Sequence, residues 1–90
     1  MANQFPQPNF KVKTSVLVFG KGWAAPLVLY FENPEEKYKE LQEFISSPTA
    51  KVVELVAQGP VKKVTLSSSQ IVGVALQEEQ HIVWWKNDLI

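Results

Sequence analysis

The sequence predicts an α+β fold in which one helix packs on one face of an antiparallel β-sheet. Residues 51–78 form short runs in which apolar and polar residues alternate, and residues 10–32 alternate in the same way around a Gly-Lys-Gly turn. Alternation every two residues is typical of a half-buried strand. The start signals of a helix lie between the two blocks. A small β-barrel with the helix as its lid is the alternative that this pattern leaves open.

The first predicted element is a β-hairpin. Its first strand begins at Phe10 and alternates through residue 19, residues 20–22 reverse the chain with two glycines, and residues 23–32 return as the second strand. Residues 1–9 carry two prolines among Asn and Gln, and we predict that they form a flexible N-terminal arm. Residues 10–90 are then predicted to form a single α+β domain. A chain of 90 residues has room for one domain.

A helix over residues 34–47 follows from signals at both of its ends. Asn33 is a preferred cap residue, Pro34 is favoured at the first helical position, and Glu36 stands three residues after the cap, as in a capping box. Apolar residues recur at helical spacing at Tyr38, Leu41, Phe44 and Ile45. A Ser-Ser-Pro sequence ends the helix, and its apolar stripe is expected to cover the sheet.

The remaining chain is predicted to add four strands, which gives about six in the order ββαββββ. Residues 51–58 and 61–67 form a hairpin around Gly59-Pro60, and a serine-rich link leads to a strand over residues 71–76. Residues 77–80 are polar and are expected to turn, and residues 81–86 form the last strand. The predicted core comprises Val16, Val18, Leu27, Leu29, Phe31, Leu41, Ile45, Val53, Leu55, Val64, Leu66, Val72, Val74 and one of Trp84 and Trp85.

Composition excludes several classes of function. The chain has no Cys, so it has no disulfide, thiolate nucleophile or Cys-ligated metal, and a single histidine, His81, leaves no His pair. His81 beside Glu78 and Glu79 could act as a base, but we expect all three to lie at an exposed hairpin tip. The sequence therefore predicts a non-enzymatic protein with no catalytic, metal-binding or cofactor-binding residues and no cofactor.

Charge and hydropathy restrict the partners and the location. All nine basic residues are lysines and they balance nine acids, so nucleic acid is an improbable partner. The chain shows no signal peptide and no run of about 18 apolar residues, which predicts no membrane span. A cytoplasmic location is the expectation.

The aromatic pair Trp84 and Trp85 indicates a surface for a protein partner. Successive residues of a strand point to opposite faces, so one indole enters the core and the other needs a second cover. That cover is either the N-terminal arm or a second copy of the chain, because exposed Trp is enriched at interfaces. We therefore predict an interaction or assembly module, with a homodimer as one form. The alternative is a small nucleic-acid or phosphate-binding domain that uses Lys62, Lys63 and the exposed Trp23.

The order of elements from Tyr38 to Glu79 resembles that of small uncharacterised conserved proteins of cyanobacteria and plastids. The residues that carry this resemblance are Glu54-Leu55, Lys62-Lys63-Val64 and the segment 68–76. The resemblance implies a helix followed by three strands and implies no chemical motif. The family often has Cys where Ala57 stands here, and it lacks the first hairpin and the C-terminal HIVWWK segment.

Overall fold

The computed structural model describes the backbone of residues 8–84 and the side chains of residues 12–80. The order of its elements agrees with the α+β prediction, since one α-helix lies between two groups of strands. In chain order they are β1 (Pro8–Gly20), β2 (Leu27–Leu29), α1 (Pro34–Ile45), β3 (Val52–Val56), β4 (Lys63–Ser67), a 3-10 turn (Ser68–Gln70) and β5 (Ile71–Trp84). The described residues thus form five strands where about six were predicted.

The strands are distributed over two antiparallel sheets. The larger sheet has the order β2-β1-β5, and the smaller one is the β3-β4 hairpin. In the larger sheet β2 and β5 are the edges and do not pair with each other. The barrel alternative is therefore not formed by the described residues, and both sheets are open.

Strand β5 corrects the prediction of a turn at residues 77–80. The chain continues without interruption from Ile71 to Trp84, so two predicted strands are one, and His81 lies within a strand instead of at a hairpin tip. The polar residues stay extended because β1 pairs with them along its length, with Thr14 opposite Glu78 and Lys13 opposite Glu79. Cross-strand partners outweigh the weak intrinsic β propensity of Gln and Glu.

Strand β2 is shorter than the predicted strand of residues 23–32. It contains three residues, and the chain before it is an irregular loop that begins with a turn in which the Trp23 amide donates to the Gly20 carbonyl at 3.2 Å. Gly22 adopts φ of 72° in this turn, a conformation that glycine accommodates without strain. Pro26 has no amide hydrogen to donate to a ladder, so pairing begins at Leu27.

Helix α1 begins at Pro34 as predicted, but Asn33 does not cap it in the predicted way. No helix amide donates to the Asn33 side chain; instead its Nδ2 donates to the carboxylate of Glu36. The backbone carbonyl of Asn33 accepts the first helical hydrogen bond, from the Lys37 amide at 3.1 Å. The helix start therefore depends on Pro34 and this backbone bond. The capping-box prediction is wrong, because a capping box joins each side chain to a backbone amide, whereas here the two side chains bond to each other.

Asn33→Ala is accordingly expected to change the free energy of unfolding by less than about 0.5 kcal/mol, the range of an exposed surface substitution. A true side-chain cap would cost about 1 kcal/mol. Urea denaturation followed by circular dichroism measures the difference, with Glu43→Ala on the exposed side of the helix as the control. A loss near 1 kcal/mol for Asn33→Ala alone would mean that its side chain accepts a helix amide in solution.

The core lies where α1 and the β3-β4 hairpin pack on one face of the larger sheet. It contains, from both sheets and the helix, Val16, Val18, Leu29, Phe31, Leu41, Leu55, Leu66 and Ile71. Leu27, Ile45, Val53, Val64 and Val74 are partly buried against this cluster. All of these except Ile71 were predicted core residues, so the alternation and the helical stripe identify the buried faces correctly.

Val72 is the described core prediction that is wrong. Its side chain is 61% exposed, and the neighbouring Ile71 is buried in its place. The register between β1 and β5 shifts at Phe19 and Gly20, which moves the inward position by one residue. The alternation of the sequence contains no sign of this shift.

The β3-β4 hairpin confirms the prediction made from Gly59-Pro60. Gly59 has φ of 108° in the turn, and the Ala57 amide donates to the Lys62 carbonyl at 2.7 Å to close it. At the other end, Ser68 joins the hairpin to the chain that follows, because its Oγ accepts from the Lys51 amide at 2.8 Å. The serine-rich link is thus a connection, as predicted.

Candidate interaction surface

The end of the larger sheet beyond β2 is a two-stranded ribbon, which we define as residues 8–13 of β1 paired with residues 79–84 of β5. The pairing is continuous from Lys13 opposite Glu79 to Pro8 opposite Trp84. β2 pairs with β1 only from Val16 to Val18, so among the described residues the ribbon has no third strand. A two-stranded β-ribbon alone is marginally stable in water.

The side of the sheet that carries Val16 and Val18 is mixed in the ribbon, where Val12 lies directly opposite the exposed Gln80. Even-numbered positions of β1 alternate to the same side as Val16 and Val18, and Val12 on that side is 57% exposed. Leu76, which lies opposite Val16, is 37% exposed. The apolar surface therefore extends beyond the part that the helix and the hairpin cover. The sequence pattern could not show this, because the core face and the ribbon face have the same alternation.

The opposite face has a polar cluster of Lys13, Ser15, Tyr30 and Glu79. Ser15 is fully buried, and the hydroxyls of Ser15 and Tyr30 approach one carboxylate oxygen of Glu79 at 3.5 and 3.4 Å. These distances are long for hydrogen bonds from a hydroxyl to a carboxylate, so each contributes little. The Lys13 ammonium lies 4.1 Å from the centre of the Tyr30 ring, within the range of a cation–π contact.

The polar cluster links the ribbon to the rest of the sheet. Tyr30 directly follows β2, Ser15 lies on β1, and Glu79 lies on β5. A small side chain at position 15 leaves room for contacts that join the three strands on this face. Sequence analysis did not identify this cluster, because Ser15 and Glu79 are 64 residues apart and none of its members belongs to a recognisable motif.

Trp23, a predicted interaction residue, lines a shallow pocket of about 180 Å³ at the other end of β1. Its walls are Phe19, Gly20, Trp23, Ala24, Ala25 and Pro26. The Trp23 side chain is 42% exposed and lies against Gly20, where a Cβ atom would come within 2.1 Å of the indole. Gly20 is therefore required for this position of the indole, and a part of Trp23 in an interaction stays a prediction.

One of the two remaining predicted aromatic residues lies within the described backbone, at the end of the ribbon. Trp84 is the last residue of β5, and its backbone is opposite Pro8. Trp85 lies outside the described residues, as do residues 1–7 of the predicted arm. The strand begins at Pro8, two residues before the predicted start at Phe10. The prediction that Trp84 and Trp85 lie on opposite faces of one strand stays a prediction.

The lysines of the β3-β4 hairpin, two of which are predicted to bind nucleic acid or phosphate in the alternative function, do not form a continuous strip with Lys51. Lys62 and Lys63 are exposed at the turn end of the β3-β4 hairpin, whereas Lys51 is at its opposite end beside Ser68. At about 3.3 Å per residue, the two ends are roughly 15–20 Å apart. The exposed Glu54 lies on β3 between them. The structure does not bring these lysines together with one another, which weakens the nucleic-acid alternative.

Groups that could perform chemistry are sparse in the part of the chain that the structure describes. No three of the His, Cys, Asp and Glu residues in this part gather as metal ligands would. Glu78 and Glu79 are neighbours on β5 and lie opposite Thr14 and Lys13. None of the helices within residues 8–84 is long and apolar enough to cross a membrane.

Comparison with known proteins gives no relative for this fold. No protein-family model, no curated protein and no solved structure matches the chain. The resemblance of residues 38–79 to the small proteins of cyanobacteria and plastids therefore stays a prediction.

Proposed function

We propose that this protein is a non-enzymatic interaction and assembly module, and that it self-associates through the ribbon. The observation that supports this proposal is the continuous pairing of β1 and β5 out to Pro8 and Trp84, with no third strand among the described residues. An extended, open-edged β-ribbon is a ready template for another strand.

Exposed apolar surface supports the same proposal. Val12 and Leu76 lie on one side of the sheet and are both exposed. Each Å² of apolar surface removed from water contributes about 25 cal/mol. A second copy related by a two-fold axis would cover this face with the same face of its own ribbon.

Self-association is measured by sedimentation velocity across a wide concentration range, with the full chain and single substitutions. We expect the wild type to dimerise and Val12→Ser to weaken the dimer at least tenfold. Val56→Ser is the matched control, because Val56 is an equally exposed valine on the outer face of β3. It is expected to leave association unchanged.

Trp84→Ser and Trp85→Ser, made separately, identify the indole at the interface. On the prediction that one indole is buried and the other lies at the contact, we expect one of them to give a folded monomer and the other to unfold the domain. A wild-type monomer at high concentration, with both indoles shielded from quenchers, would mean that the N-terminal arm covers the ribbon. Equal effects of Val12→Ser and Val56→Ser would place the contact elsewhere.

A further inference from the structure

We propose that the pocket between Phe19 and Trp23 receives the phenyl ring of Phe5 from a second copy of the chain. The pocket lies where β1 ends and the loop to β2 begins, at the opposite end of β1 from the ribbon. This inference rests on the proposed assembly function and names a contact between copies that is separate from the ribbon.

The walls of the pocket are uncharged and partly aromatic. Among its six lining residues, the indole N–H of Trp23 is the only side-chain group that can form a hydrogen bond. Phe19 and Trp23 are 38% and 42% exposed, so both rings offer apolar surface. Aromatic pairs gain energy beyond the area that they bury, which favours an aromatic ring as the occupant. A cation is disfavoured, because no acidic residue lines the pocket and the exposed Lys21 is next to it in the chain.

Backbone hydrogen bonds fix the shape of the pocket. The Trp23 amide donates to the Gly20 carbonyl at 3.2 Å, and the Lys21 amide donates to the Gln70 carbonyl at 2.8 Å. The second bond joins the turn to the chain that leads into β5. Because Gly20 has no Cβ, the indole lies directly against its backbone. A wall that is already in place reduces the conformational entropy lost when a ring enters.

The size of the pocket suits one phenyl ring. Its volume is about 180 Å³. An apolar cavity of about 150 Å³ is large enough to hold a benzene molecule. The indole of Trp85 is larger than a phenyl ring, and the charged Lys86 follows it directly. An uncharged segment with a phenylalanine is therefore the better match to this pocket.

The first ten residues provide such a segment. They contain no charged side chain, and their aromatic residues are Phe5 and Phe10. Phe10 is part of β1, where it lies opposite Ile82, which leaves Phe5 as the candidate. Pro6 follows Phe5, and a proline has no amide hydrogen to donate to a longer strand. The segment around Phe5 is therefore better suited to docking than to an extension of the sheet.

The ring must come from a second copy, because Phe5 cannot reach the pocket of its own chain. β1 is continuous from Pro8 to Gly20, so about 36 Å of strand separates Pro8 from Phe19 at about 3.3 Å per residue. The three residues from Phe5 to Pro8 span about 11 Å at most. A neighbouring copy has no such restriction.

The first test is a nuclear magnetic resonance titration of the ¹⁵N-labelled full chain carrying Phe5→Ser, which leaves the pocket without its proposed ring. The probe is a capped peptide of residues 1–9, and the comparison is the same peptide with Phe5→Ser. We expect the wild-type peptide to shift the amides of residues 19–25 and the indole N–H of Trp23. The Ser peptide is expected to bind at least tenfold more weakly.

Substitutions in the pocket locate the binding site. Trp23→Ser removes one wall, and Gly20→Ala displaces the indole, since a Cβ there would come within 2.1 Å of it. Each is expected to weaken peptide binding at least tenfold, and Trp23→Ser alone decides the point if Gly20→Ala does not fold. Val56→Ser, at an exposed valine on β3, is the control and should leave binding unchanged. Circular dichroism verifies that each variant is folded.

A mixing experiment tests whether the ring comes from another copy. The ¹⁵N-labelled Phe5→Ser chain has a pocket but no ring, and an unlabelled Trp23→Ser chain has the ring but an incomplete pocket. We expect the unlabelled chain to shift residues 19–25 of the labelled one. An unlabelled chain with both substitutions is the control and should cause no such shift.

The inference is overturned if the wild-type peptide causes no shift at residues 19–25 at millimolar concentration, or if the Ser peptide binds equally well. Unchanged peptide binding by Trp23→Ser, or equal shifts from both unlabelled chains, would also overturn it. Peptide binding in the pocket of a chain that sediments as a monomer supports this inference and removes the ribbon proposal. A dimer that Val12→Ser weakens, but whose pocket ignores the peptide, does the reverse.

Discussion

Leu41→Ala is expected to lower the free energy of unfolding by about 2–5 kcal/mol, the usual cost of removing a buried leucine side chain. Leu41 is 2% exposed and is the buried residue of α1. It belongs to the same cluster as Val16, Val18 and Leu29 of the larger sheet. A domain of this length has a total stability of about 5–13 kcal/mol, so the loss would be a large fraction of it.

Urea denaturation of Leu41→Ala, followed by circular dichroism and tryptophan fluorescence, measures this loss. Leu41→Met conserves most of the volume and should cost less than about 1.5 kcal/mol. Glu43→Ala lies on the exposed side of the same helix and should change stability by less than about 0.5 kcal/mol. A change below about 0.5 kcal/mol for Leu41→Ala itself would reject the packing of α1 on the sheet.

Leu55→Ala is expected to cause a loss of similar size, about 2–5 kcal/mol. Leu55 is 5% exposed, and it joins the β3-β4 hairpin to the core that the helix and the larger sheet form. The hairpin has two strands, and two strands alone have little stability in water. Loss of this contact is therefore expected to release the hairpin as well as to leave a cavity.

Val56→Ala is the matched control, because it removes methyl groups from the next residue of the same strand on the exposed face. Val56 is 64% exposed, so the expected cost is below about 1 kcal/mol and reflects β propensity. Hydrogen exchange adds a local measurement, since Leu55→Ala should raise exchange along β3 and β4 more than along β1. Equal costs for Leu55→Ala and Val56→Ala would mean that the hairpin does not pack on the core.

The candidate surface was predicted from sequence only in part. Lys62 and Lys63 are exposed, and Trp23, predicted to lie in a strand, is 42% exposed in the loop before β2; a part of these residues in binding stays a prediction. The ribbon was missed, because residues 77–80 are polar and polar residues between two apolar runs normally indicate a turn. Their extended form depends on β1, whose matching positions are more than 60 residues away in the chain.

The polar cluster was missed for a related physical reason. Ser15 on a strand is expected at an exposed position, because serine is polar and Lys11 and Lys13 precede it at alternate positions. Its burial depends on Tyr30 and Glu79, which approach from two other strands. The local sequence shows secondary-structure propensity and periodicity, but it does not show which residues distant in the chain become neighbours in the fold.

The sequence by itself determined the features that depend on local chemistry. The helix start at Pro34, the hairpin turn at Gly59-Pro60 and the alternation that buries Leu55 and Leu66 follow from ring geometry, backbone freedom and the two-residue period of a strand. These properties act within a few residues, so the amino-acid sequence alone is sufficient to predict them.

The tertiary structure alone decided which strands are neighbours and where each one ends. It pairs β1 with β5 over the length of both strands, separates the β3-β4 hairpin into a second sheet, and shifts the register at Gly20 so that Ile71 is buried and Val72 is exposed. The free energy of these choices comes from contacts between segments distant in sequence, and each strand alone is compatible with several partners. The ribbon, on which the self-association proposal depends, exists because of that long-range pairing.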